Sequence, residues 1–156
     1  MSTMILSRRH VLGGLFAASA IDLTRAQAND ITIRTHRDAH CGCCGKWMQR
    51  MRAAGFEVEE IVETDMDIVK SRLGVPKKLT ACHTSEIAGY IVEGHVPAIA
   101  IDRLLRERPV ARGIAAPGMP AGSPGMEMAE SEIYTVYLFD GDGARAFGSW
   151  RADQPI

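Results

Sequence analysis

The sequence predicts a single α/β domain, and three observations carry the prediction. Residues 31–63 run through a period-two pattern, a helical pattern and a second extended pattern, a β-α-β order. A clear apolar strand near the C-terminus is followed by a Gly-containing turn and a returning strand. Removal of a 28-residue leader from the 156 residues leaves 128, enough for one domain with its own core.

The leader is read from residues 1–28. Arg8-Arg9 precedes the apolar run Val11 to Ile21, which ends at Asp22 and is too short to span a bilayer. Ala26-Gln27-Ala28 follows as a small-x-small cleavage site. The three parts in this order predict a twin-arginine-type export signal, with residues 29–156 as the mature domain in the bacterial periplasm. Without Arg8, Arg9, Arg25 and Asp22 the mature chain carries 15 basic and 18 acidic side chains, about −3. That balance excludes an obvious nucleic-acid footprint, and no second hydrophobic segment predicts a membrane span in the mature form.

Within the domain, Ile31, Ile33 and Thr35 alternate with polar residues as a half-buried strand. A helix over Lys46 to Ala54 places Trp47, Met51 and Ala54 on one face, with Gly55 as its stop. Phe56 to Glu63 reads as the second strand, with Phe56 and Val58 inward and a bulge at Glu59-Glu60. Its β-α-β connection predicts parallel pairing with the first. Thr64 to Asp67 resembles a capping box for a helix ending near Gly74. Ile87 to Val92 reads as a strand kinked at Ala88-Gly89, and Ala98 to Glu107 as a helix. Arg112 to Ala129 holds four glycines and three prolines and reads as a Gly/Pro-rich loop. Tyr134 to Phe139 and Ala144 to Trp150 form a C-terminal β-hairpin around Asp140-Gly141-Asp142-Gly143.

The chemistry concentrates in Cys41-Gly42-Cys43-Cys44-Gly45-Lys46-Trp47, which holds three of the four cysteines. Helix-opening amides lower thiol pKa, and the thiolate is both nucleophile and metal ligand. Three readings compete. Two structural disulfides would suit an exported domain. However, Cys43 and Cys44 cannot bond without strain, because adjacent α-carbons are about 3.8 Å apart and bridges need about 4.4 Å or more. A thiol oxidoreductase would use Cys41-x-x-Cys44 at its strand-to-helix junction, as thioredoxin-like proteins do, with Pro97 as a cis loop proline facing the dithiol. Soft-metal binding would use all the sulfurs, since thiolates select monovalent copper, zinc or iron–sulfur clusters. Three sulfurs within four residues cannot all close on one ion with ideal geometry, whereas thiolates bridging several ions can. Cys82 would approach from the other side. His40 and His83 each flank a cysteine and are candidate additional ligands or pKa-tuning residues. Met119 and Met126 lie in the Gly/Pro-rich loop, where packing explains them poorly, and are candidate thioether ligands.

Four separated motifs in order carry a family resemblance. They are Cys41 to Trp47, Ala81-Cys82-His83-Thr84, Gly89 to Ala98 and Gly118 to Glu127. Together they resemble the CopG-type periplasmic copper-resistance proteins, long described only as a domain of unknown function. The resemblance implies a thioredoxin-like fold and a Cys-x-Cys-Cys motif, here Cys41, Cys43 and Cys44, that holds a multinuclear copper cluster with Cys82 as partner cysteine. It also implies a role in copper resistance by sequestration or Cu(I)/Cu(II) cycling, with a copper-dependent oxidoreductase activity left open. The implied partners are copper ions and a periplasmic copper chaperone, efflux component or electron-transfer protein. The alternative is a periplasmic thiol-disulfide oxidoreductase without resident metal.

Overall fold

The computed structural model describes residues 31–141 and 143–156; the expected export signal at 1–28 lies outside them. Thr32–Asp38 (β1), Gly42–Ala53 (α1), Glu57–Glu63 (β2) and Met66–Leu73 (α2) open the domain. After a short 3₁₀ turn at Lys77–Leu79 come His83–Ile87 (β3), Tyr90–Gly94 (β4), Ala98–Glu107 (α3) and Gly113–Ala116 (β5). Ile133–Asp140 (β6), Gly143–Arg151 (β7) and Gln154–Pro155 (β8) complete it. All eight strands form one mixed sheet in the order β2-β1-β3-β4-β5-β6-β7-β8.

The β1-α1-β2 unit pairs in parallel as expected, from Thr32 opposite Glu57 to Asp38 opposite Glu63. That register is unbroken, so the bulge expected at Glu59-Glu60 is absent. Alternate strand residues point to opposite faces, and the core divides accordingly. Ile33, Val92, Ile114 and Leu138 pack with Trp47, Met48 and Met51 of α1 and Ile101 and Leu104 of α3. Their sequence neighbours Ile91, Ala115 and Phe139 pack on the other face with Val69 and Leu73 of α2. The sheet is thus sandwiched between α1 and α3 on one side and α2 on the other.

Several elements depart from the sequence reading. Helix α1 begins at Gly42 rather than Lys46, so Cys43 and Cys44 belong to its first turn. Asp65, not Thr64, caps α2, accepting from the amides of Asp67 and Ile68. Ala88 and Gly89 both take positive φ, 48° and 86°, and form a two-residue hairpin turn rather than a kink. That turn joins two antiparallel strands, β3 and β4. Part of the segment read as loop is a buried strand: β5 lies parallel to β4 and antiparallel to β6. Among the described residues there is no cis peptide bond. The expected cis Pro97 is therefore trans; at φ −66° it caps α3, and its fixed φ suits a helix start. The C-terminal hairpin of β6 and β7 forms as read. No helix among the described residues is long and apolar enough to cross a membrane.

Candidate metal centre

The site forms where β1 hands over to α1. The Cys41 amide donates to the Asp38 carbonyl at 3.1 Å, closing a turn that leaves Cys41 at the helix N-cap. One helical turn then brings Cys44 back over Cys41, and the two are disulfide-bonded with α-carbons 5.4 Å apart, inside the usual range for a bridge. Cys43 and Cys82 remain thiols. Antiparallel pairing of β3 with β1 sets Arg37 opposite His83, which carries the preceding Cys82 to the mouth of the helix. Cys43 Sγ lies 3.5 Å from Cys41 Sγ and 3.8 Å from Cys82 Sγ. All four sulfurs fall within 4.8 Å of one another.

A second layer holds Cys82 in place. Its neighbour Ala81 bridges Gly118 in parallel and donates its amide to Glu93 Oε1 at 2.7 Å. Gly94 ends β4 at φ 74°, where an added Cβ would meet Ala81 Cβ at 2.5 Å and the Ala116 carbonyl oxygen at 2.6 Å. Only glycine permits this approach, and it delivers the next residue, His95, into the interior. His95 Nε2 lies 2.9 Å from Cys82 Sγ, and its Nδ1 is 2.8 Å from the Pro124 carbonyl. A carbonyl only accepts, so Nδ1 carries the hydrogen and Nε2 presents its lone pair to the thiol. His83 Nδ1 stands 3.4 Å from the same sulfur. The His83 ring leans on Trp47, centroids 4.5 Å apart, and meets His95 edge-on at 5.0 Å. Its Nε2 is buried with no partner among the described residues.

Burial sets the charge of these groups. It pushes the Cys82 thiol up to about 12, helped by the neighbouring Cys43 sulfur. It pulls His83 well below the ordinary imidazole value, and His95 below it too, against the opposing Pro124 hydrogen bond. The trio is therefore a neutral thiol between two neutral imidazoles, and neutral imidazole is the form that ligates metals.

The structure brings Cys41, Cys43, Cys44, Cys82 and His83 together. It does not bring His40, whose side chain is 96% exposed and bonded to Asp38. Met119 is exposed and Met126 half-buried. Their loop nonetheless packs on the cysteine helix. A Cβ on Gly125 would lie 2.7 Å from the Trp47 amide nitrogen and 2.8 Å from the Cys43 carbonyl oxygen. The residue the sequence reading passed over is His95. Its only sequence signal is its place in Gly94-His95-Val96-Pro97, between a strand end and a helix start. Chemically, the Cys43 and Cys82 thiols and two neutral imidazoles, joined by Cys41 and Cys44 once their bond is reduced, form a sulfur and nitrogen donor set able to hold a metal.

A family model described as "Protein of unknown function, DUF411" matches residues 79–126. Two solved structures are similar along most of the chain. "Copper resistance protein copG- Form 1" is 50% identical with a TM-score of 0.72, covering 76% of this chain and 96% of that one. "Copper resistance protein copG- Form 2" is 48% identical with a TM-score of 0.73, covering 77% of this chain and 98% of that one. No curated protein sequence matches.

Proposed function

This chain belongs to the CopG family of copper resistance proteins, and from that premise we propose that it is an exported copper-binding protein of thioredoxin-like architecture. It holds copper as a thiolate-bridged, multinuclear cluster on Cys41, Cys43, Cys44 and Cys82, and supports copper resistance by sequestration or Cu(I)/Cu(II) cycling. The observation that carries this reading is the meeting of four sulfurs, from two separate stretches of chain, within 4.8 Å. A fold that needed only a structural bridge would have no use for Cys43 and Cys82 beside it. The thioredoxin-like reading is supported by a Cys-x-x-Cys that opens a helix between two parallel strands. Export rests on the leader sequence at 1–28. An oxidising compartment agrees with the Cys41–Cys44 bond. Reduction of that bond would free the two further thiolates the cluster needs.

Copper per chain after anaerobic Cu(I) loading and desalting of the reduced mature protein tests the proposal. More than one copper per chain is expected, and Cys43→Ser should lose most of it, because serine replaces a soft donor with a hard one. A second reading, a thiol-disulfide oxidoreductase without resident metal, is favoured by the Cys41–Cys44 pairing itself. Undiminished copper in Cys43→Ser, with disulfide reductase activity that needs only Cys41 and Cys44, would establish that reading instead.

A further inference from the structure

We propose that Arg37 is a positioning residue for the Cys41–Cys44 dithiol: its guanidinium holds the β1–α1 turn in shape while the disulfide is open, so that the two thiols stay poised to close again. The inference rests on the reading above that this bond is reduced in function. It concerns a side chain that offers no ligand atom, since a guanidinium only donates.

Arg37 lies one residue before the end of β1, with its side chain 17% exposed. One edge of the guanidinium faces Glu60 of β2: Nε donates to Oε1 at 2.6 Å, and Nη2 bonds the same oxygen. The remaining nitrogen, Nη1, turns to the backbone of the turn. It donates to the Asp38 carbonyl at 2.9 Å and the Ala39 carbonyl at 3.1 Å, and stands 3.5 Å from that of Cys41. The Asp38 carbonyl also receives the Cys41 amide, at 3.1 Å. One oxygen thus joins Arg37 to the N-cap cysteine. Residues 39–41 belong to neither strand nor helix. Besides the disulfide, they are fixed by these bonds and by the Asp38 carboxylate, which accepts from the His40 amide at 2.7 Å. Opening the bond with two glutathione thiols gives the Cys41 and Cys44 thiols and one glutathione disulfide; the reverse closes it. Where that equilibrium lies depends on how near the folded chain keeps the two thiols, their effective concentration. A pinned turn keeps Cys41 beside Cys44, whereas a loose one lets it swing away. Lysine cannot do the same work: its ammonium is a point charge, without the rigid fork that meets a carboxylate on one edge and two carbonyls beyond it.

The test equilibrates the mature protein with glutathione and its disulfide, anaerobically and with a copper chelator present. Acid quenching, alkylation and mass mapping then score the Cys41–Cys44 bond. Arg37→Lys keeps the charge and removes the fork; Arg37→Met combined with Glu60→Gln removes both charges together. Each should lower the equilibrium constant for closing the bond about ten-fold, equivalent to about 30 mV. A wild-type constant in Arg37→Lys would show that Arg37 supplies charge rather than shape. A constant that rises in either variant would show that the turn does not set the equilibrium. Both results overturn the inference. Because variants can misfold, a second measurement uses the wild type alone. Exchange of the Cys41 amide hydrogen should stay slow after reduction, because Arg37 still holds the Asp38 carbonyl that accepts it. Loss of that protection on reduction would also overturn the inference. Neither measurement involves copper, so failure of the copper reading is seen separately, in the loading of the reduced protein and its Cys43→Ser variant.

Discussion

Lys70 and Glu93 form a buried ion pair directly behind the cysteine-bearing segment, with Nζ 2.6 Å from Oε1. Lys70 comes from α2 and Glu93 from β4, so the pair ties helix to sheet. Thr84 completes the network, accepting from Lys70 and donating to Glu93 Oε2 at 2.6 Å. Glu93 also receives the Ala81 amide, one residue before Cys82. Removing one partner strands the other charge in the interior, so Lys70→Met should cost about 3 to 5 kcal/mol. Lys70→Met with Glu93→Leu should cost less than either change alone. Urea denaturation of the mature protein with its disulfide intact measures all three. Additive losses in the double variant would show that the pair is not acting as a unit.

Two glycines, Gly125 in the loop beyond β5 and Gly45 in α1, should respond to alanine substitution in opposite ways. Gly125 has φ 87° and no room for a Cβ against Trp47 and Cys43, so Gly125→Ala should cost about 1 to 3 kcal/mol. It should also loosen the neighbouring Pro124 carbonyl from His95, raising exchange of the His95 Nδ1 hydrogen. Gly45 sits inside α1 with nothing within 4 Å of an added Cβ. Gly45→Ala should therefore stabilise by about 0.5 to 1 kcal/mol. Equal effects at the two positions would contradict the packing of the loop on the helix.

The β-α-β opening, α3 and the C-terminal hairpin were legible because hydrophobic period alone specifies them. What escaped was decided at a distance. Gly113 to Ala116 is small and lacks alternation; it becomes a strand only because β4 and β6 pair with both its edges. The helical pattern starts at Lys46, yet Gly42 and Gly45 both lie inside α1, whose first turn the Cys41–Cys44 bond spans. The cysteine cluster was visible because three of its members are consecutive or nearly so. His95 was not, since 13 positions separate it from Cys82 and only the return of β4 beside β3 joins them. His40 shows the converse: adjacency to Cys41 in sequence places it on the outside of the turn.

Export should leave a defined N-terminus. Arg8-Arg9, the short apolar run and Ala26-Gln27-Ala28 are together expected to direct cleavage after Ala28. N-terminal sequencing of protein recovered from the periplasm should begin at Asn29, and Arg8→Lys with Arg9→Lys should leave the precursor in the cytoplasm. An intact Met1 on the exported protein would refute cleavage, though not export.

Cys82 should be a slow nucleophile despite lying beside a histidine. A thiol next to imidazole can transfer its proton and become a reactive ion pair. Here burial drives both groups to neutrality, raising the Cys82 thiol from 9.0 to about 12 and lowering His95. Alkylation follows the thiolate fraction. At pH 8 iodoacetamide should therefore modify Cys82 about ten-fold or more slowly in the native protein than in urea. The same shift has a stability consequence. A thiol held neutral by the fold contributes fully below its unfolded value near 9, and that contribution is lost as pH rises from there toward 12. Mass spectrometry of the peptide carrying Cys82 gives the rates, with the disulfide left intact so that Cys41 and Cys44 do not compete. A native rate equal to or above the urea rate would mean that Cys82 and His95 exist as thiolate and imidazolium, and the neutral trio described above would be wrong.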